Sequence, residues 1–195
     1  MAGAGGRPAL GGAAGQDCLT GMAEDVAALL AAIGRCRKCL EEPLGRPLPH
    51  EPRPVAVLSR TARLLVSGQA PGTRVHASGR PFTDPTGNRL RDWLGIGPET
   101  FYDSTRVAIL PMGFCFPGLD AKGSDLPPRR ECAPLWRHRA LGAMAKVELI
   151  LAVGTHAQAW HLPDMRGRGM TATVAAWRDL LAGGRRPARV PPRPP

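Results

Sequence analysis

Cys36 and Cys39 form a Cys-x-x-Cys pair, and Cys115 and Cys132 come much later, near Pro117 and Pro134. Four thiolates are enough to enclose a metal centre, since sulfur ligates both zinc and iron. Zinc ribbons usually offer two close pairs. One close pair with two scattered partners therefore leaves three readings open: a cluster, a zinc site, or buried thiols without a ligand. Cys18 has no evident partner. Between the cysteines lie two polar and glycine-rich stretches, Gly68-Gln69-Ala70-Pro71-Gly72 and Gly79-Arg80-Pro81-Phe82-Thr83-Asp84. Glycine permits close backbone approach to a ligand and proline fixes the turn. The Phe82 ring can stack on a planar base, and the Asp84 carboxylate can polarise water. Taken singly, an ordinary turn and a core phenylalanine would read the same way.

The elements that must position these groups alternate in type. Leu64 to Val66, Val107 to Leu110 and Leu149 to Val153 are short apolar runs that do not alternate with polar residues, the pattern of buried parallel strands. Helices are expected at Ala23 to Ile33, Leu90 to Leu94, Pro134 to Lys146 and Ala157 to Leu162, and Thr171 is placed to cap a last one through Leu181. Pro43 to Pro54 reads as an extended linker. Strands alternating with helices give an α/β/α sandwich of three layers around a mostly parallel sheet, whose ligands bind at the carboxyl ends of the strands. The first glycine-rich stretch follows the first strand directly, where such a ligand would sit.

With 26 Lys and Arg against 16 Asp and Glu, the chain carries a formal charge of +10, which draws polyanions such as nucleic acid, although a solvated basic surface gives the same balance. No apolar run approaches the ~18 residues needed to cross a bilayer, so a cytoplasmic, monomeric protein that does not enter membranes is expected. Residues 1–21 are Gly- and Ala-rich and read as a disordered extension, with Met22 as a start; 22–181 read as one domain. Residues 182–195 are Pro- and Arg-rich and cannot form a closing helix. They read as a frameshifted end or as a basic, phosphate-binding tail.

The order Cys36-x-x-Cys39, Gly68-Gln69-Ala70-Pro71-Gly72, Gly79-Arg80-Pro81-Phe82, Cys115 and Cys132 resembles the four-cysteine uracil-DNA glycosylases of bacteria and archaea. The resemblance spans about Cys36 to Leu181. It implies a 4Fe-4S cluster on the four cysteines, with zinc as the alternative, and excision of uracil or another deaminated base from DNA. It further implies that Gly68, Ala70, Pro71 and Gly72 lie beside the scissile bond and that Phe82 stacks on the flipped base. Phe82-Thr83-Asp84 followed by Thr86-Gly87 is similar to the branch with broader base specificity. The cluster would pin the Cys36 segment to the chain between Cys115 and Cys132, forming a basic ledge of Arg35, Arg37, Lys38, Arg129 and Arg130.

Three departures shape the expected chemistry. Gln69 stands where the family often has Glu, and His76 where it has an acidic residue. Gln69, His76 and Asp84 are accordingly the catalytic candidates, with Asp84 and His76 the groups able to activate water. Pro111 replaces the Asn that reads uracil, so specificity for uracil alone is not implied. The family's second motif, a His-Pro-Ser type loop, does not follow Trp177 to Leu181. Weak or absent excision is therefore expected, and a cluster-bearing relative that binds uracil or damaged DNA without cutting is the rival reading.

Overall fold

Asp25 starts the first helix. Its carboxylate accepts hydrogen bonds from the N–H groups of Ala27 at 3.3 Å and Ala28 at 3.1 Å, two donors that a first turn leaves open. The helix, α1 (Val26–Gly34), buries Leu29 and Ile33 on one face. It begins three positions later than expected because Asp25 is its cap rather than part of its first turn. The computed structural model describes residues 24–183. Cys18, Met22, Ala23, the expected N-terminal extension and residues 184–195 lie outside them.

Beyond α1 the order is α2 (Lys38–Glu41), β1 (Leu64–Ser67), α3 (Thr73–Ser78), α4 (Pro85–Leu94), α5 (Pro98–Phe101), β2 (Val107–Ile109), α6 (Cys132–Ala143), β3 (Leu149–Ala152), α7 (Thr155–His161), α8 (Met170–Ala175) and α9 (Trp177–Ala182). The three expected strands form one parallel sheet ordered β2-β1-β3, with Leu65 paired to Ala108 on one side and Ile150 on the other.

The unbroken apolar run of β1 follows from its burial on both faces. Successive strand residues point to opposite sides. Leu65 packs with Leu29, Ala108 and Trp136, while Val66 packs with Leu90, Phe101 and Ile109. Helices α1 and α6 thus cover one face and α4 and α5 the other, which is the α/β/α arrangement expected. Residues 43–54 contain no helix or strand, yet Leu48 is buried beside Cys39 and Cys115.

The helix starts differ from expectation where a cap governs them. Helix α4 begins at Pro85, not Leu90, because Asp84 caps it and proline suits the first helical position. Thr171 does not cap the last helix. Gly169, at φ +79°, precedes α8, Thr171 lies within it, and Ala176 divides the expected helix into α8 and α9.

Candidate active site

The carboxyl ends of β1 and β2 open into a cleft of about 350 Å³. Gly68, Ala70, Pro71, Gly72, Phe82 and Asp84 line it, together with Pro111 and Asp125. The first loop is anchored through its backbone: the N–H groups of Met112 and Gly113 donate to the carbonyls of Gly68 and Gln69, each at 2.9 Å. Gln69 and His76 stand outside these walls. The Gln69 side chain turns to the carbonyl of Leu126, to which its Nε2 donates at 3.4 Å.

Phe82 is held in an unusual backbone conformation, at φ 57°. An L-residue adopts this region only when its surroundings impose it. Here the Phe82 carbonyl accepts from Arg91 Nη1 at 2.9 Å and from the Tyr102 hydroxyl at 2.8 Å. The ring meets Phe101 edge to face at 5.8 Å, and its tip lies 3.6 Å from where a Cβ on Gly68 would stand. Gly87 passes directly under this turn, so a Cβ there would sit 1.9 Å from the Phe82 carbonyl oxygen. That oxygen is backbone and cannot move aside without releasing both its donors. Gly87→Ala, otherwise a favourable change in a helix, is expected to destabilise the protein by about 2 kcal/mol or more. Thermal unfolding checks this; a stability equal to that of the unaltered chain would contradict it.

Asp84 has a structural duty within the cleft, since its Oδ1 accepts the Gly87 N–H at 2.9 Å as the α4 cap. His76 belongs to a separate group of rings, 4.2 Å from His50 and 5.7 Å from Phe116. Burial, then the neighbouring His50 and Arg53 charges, hold its pKa below the usual histidine range.

Arg137, which carried no signal in the sequence, is fully buried. Its Nη1 donates to the carbonyls of Leu110 and Pro111, both at 2.8 Å, and its Nη2 to Ser67 Oγ at 3.0 Å and His161 Nε2 at 2.8 Å. It therefore ties the ends of β1 and β2 to α7 immediately behind the cleft. Burial lowers its pKa to about 10, so it stays charged at neutral pH. Burial and the Arg137 charge press His161 down to about 4, leaving a neutral ring to accept.

Cys36, Cys39, Cys115 and Cys132 line one small cavity with Trp136 and Arg129. Two further donors reach the sulfurs: Trp136 Nε1 to Cys36 and the Phe114 N–H to Cys132, each at 3.3 Å. Burial pushes the Cys115 thiol up to about 12 and raises Cys39 and Cys132 as well. Among the described residues no group of three or more His, Cys, Asp or Glu is close enough to hold a single metal ion. The four sulfurs form a soft donor set around a shared space, with N–H donors beside two of them.

Most of the expected basic ledge is internally paired. Arg37 binds Glu51 at 2.6 Å and Glu41 at 2.9 Å, and Lys38 pairs with Glu42. Arg129 donates to Glu131 and to the Arg46 carbonyl, both at 2.8 Å, and belongs to the fold. Arg35 and Arg130 are exposed and carry no ion pair among the described residues. No helix among the described residues is long and apolar enough to cross a membrane. Compared with known families, residues 55–186 match the sequence model of the uracil DNA glycosylase superfamily.

Proposed function

We propose that this chain, which belongs to the uracil DNA glycosylase superfamily, hydrolyses the N-glycosidic bond of uracil or another deaminated base in DNA. The observation that carries this reading is the cleft itself, where the Phe82 ring and the Gly68 to Gly72 loop meet at the carboxyl ends of two parallel strands. A glycosidic bond is inaccessible inside a duplex, so the target base must leave the stack. Stacking on Phe82 supplies about 1 to 3 kcal/mol toward holding it. The backbone amides of the first loop can bind the polar edge of the base. The bond breaks toward an oxocarbenium-like sugar and an anionic base, and a cleft carboxylate stabilises the positive charge that develops. Pro111 offers no side-chain donor or acceptor to the base, which favours a broad range of deaminated bases over uracil alone.

A 4Fe-4S cluster on Cys36, Cys39, Cys115 and Cys132 is part of the same reading. When bound, it supplies the charge that lets buried thiols ionise. Its cavity shares no lining residue with the cleft. The four sulfurs join the α1–α2 segment to the chain around Cys115 and to the start of α6.

The substrate range is tested by incubating excess protein with oligonucleotides carrying uracil, hypoxanthine or xanthine and cleaving abasic sites with alkali. Slow strand scission at one or more deaminated bases, and none at thymine, is expected. Scission at none of them would overturn the activity. DNA affinity should also fall steeply with salt as phosphate contacts release counterions. Arg35→Glu with Arg130→Glu should weaken binding about equally for unrelated sequences and flatten the salt dependence. Unchanged affinity would place the DNA path elsewhere on the surface.

A further inference from the structure

The geometry points to Asp125 as the catalytic carboxylate of this cleft, an assignment that rests on reading the cleft as a glycosidic-bond site. Among the described residues, Asp84 and Asp125 are the carboxylates lining it. They are not equivalent. Asp84 Oδ1 is committed to the Gly87 N–H as a helix cap. The Asp125 carboxylate makes no hydrogen bond or ion pair among the described residues. Its Oδ2 sits 3.1 Å from where a Cβ on Gly72 would stand, packed against the end of the first loop. Phe82 approaches the other end of that loop, at Gly68. In the proposed pose the base stacks on Phe82 and its sugar lies at the other end of the loop, toward Gly72 and Asp125.

The backbone holds Asp125 in place although its side chain is free. Asp120 Oδ1 accepts the N–H groups of Lys122 at 2.8 Å and Ser124 at 2.9 Å, and the Leu126 N–H donates to Gly118 at 2.9 Å. The Gln69 side chain then donates to the Leu126 carbonyl, tying this loop to the first motif. Gln69 is thus a positioning residue for Asp125. A preorganised carboxylate with its lone pairs unused can stabilise a cationic sugar and accept a proton. The C1′–N bond breaks with its electron pair leaving on the base. Water forms the new C1′–O bond and passes a proton to Asp125, which releases it to solvent. The base anion takes one proton from solvent.

The test measures binding of the full chain to two oligonucleotides. One carries a pyrrolidine, cationic at neutral pH, in place of the target nucleoside, and the other carries neutral tetrahydrofuran. The unaltered protein should prefer the cationic probe. Asp125→Asn should reduce that preference at least about tenfold while leaving tetrahydrofuran binding unchanged. Asp84→Asn should reduce it less. Asp92→Asn, on an exposed residue of α4 outside the cleft, should not reduce it. No cationic preference in the unaltered protein, an undiminished one in Asp125→Asn, or an equal loss in Asp92→Asn overturns the assignment and leaves the proposed function standing. Failure of the unaltered protein to bind either probe overturns both.

Discussion

Alanine at any one of Cys36, Cys39, Cys115 or Cys132 is expected to give a colourless protein depleted of iron, whereas Cys18→Ala stays brown and iron-loaded. The four sulfurs line one cavity and come from three separated parts of the chain. Binding energy at such a site is folding energy, because the unfolded chain holds no preformed site. Loss of one ligand also leaves buried thiols that resist ionisation, at whichever of Cys39, Cys115 and Cys132 remain. A loss of about 3 kcal/mol or more is expected, which lowers Tm by roughly 10 °C for a domain of this size. Visible absorbance, iron analysis and calorimetry on anaerobically prepared protein check this. Stoichiometric zinc without iron in the unaltered protein would rule out the cluster.

Arg137→Met should be nearly as damaging, and for a different reason. The substitution roughly preserves volume but strips donors from the Leu110 and Pro111 carbonyls, Ser67 Oγ and His161 Nε2, all at or behind the cleft. Buried acceptors left without partners cost about 1 to 3 kcal/mol each, and no longer burying a guanidinium charge offsets part of that, so a net loss near ~3 kcal/mol is expected, with excision reduced about a hundredfold or more as the strand ends separate. Arg137→Lys should not rescue, since an ammonium cannot reproduce the planar fork. The pair also predicts a pH effect. His161 has a pKa of about 4 in the fold, below its ordinary value. The unfolded chain therefore binds more protons between the two values, and folding stability is full above about pH 6.5 and declines as pH falls toward 4. His161→Gln should flatten that decline. An identical pH profile would show that the ring does not titrate in this way.

The strands were legible because β1 is buried on both faces, which forces an apolar run such as Leu64 to Val66. The order of the cysteines was legible too, but their convergence depends on the path of residues 43–54 and the packing of Leu48, which no local pattern specifies. Asp84-Pro85 is legible as a helix start, but the same carboxylate also reads as a group able to activate water, and residue type alone does not separate the two duties. Helix α3 buries none of its residues, so it has no apolar period to detect. Arg137 looks like any arginine in a helix until its partners, 24 to 70 positions away, are in place. Asp125 sits in a Gly- and Pro-rich stretch, and backbone bonds to Gly118 and the Gln69 side chain bring it to the cleft. Such long-range bonds leave no mark on the spacing of residue types.

The most direct measurement is single-turnover excision of uracil, hypoxanthine and xanthine from short oligonucleotides by the iron-loaded chain, with Phe82→Ala in parallel. If the cleft holds a flipped base against Phe82, abasic sites accumulate slowly at one or more of these bases and not at thymine, and Phe82→Ala lowers the rate about tenfold or more, the equivalent of the ~1 to 3 kcal/mol expected from stacking. Tight DNA binding without abasic sites, or a rate that Phe82→Ala leaves unchanged, would contradict the account.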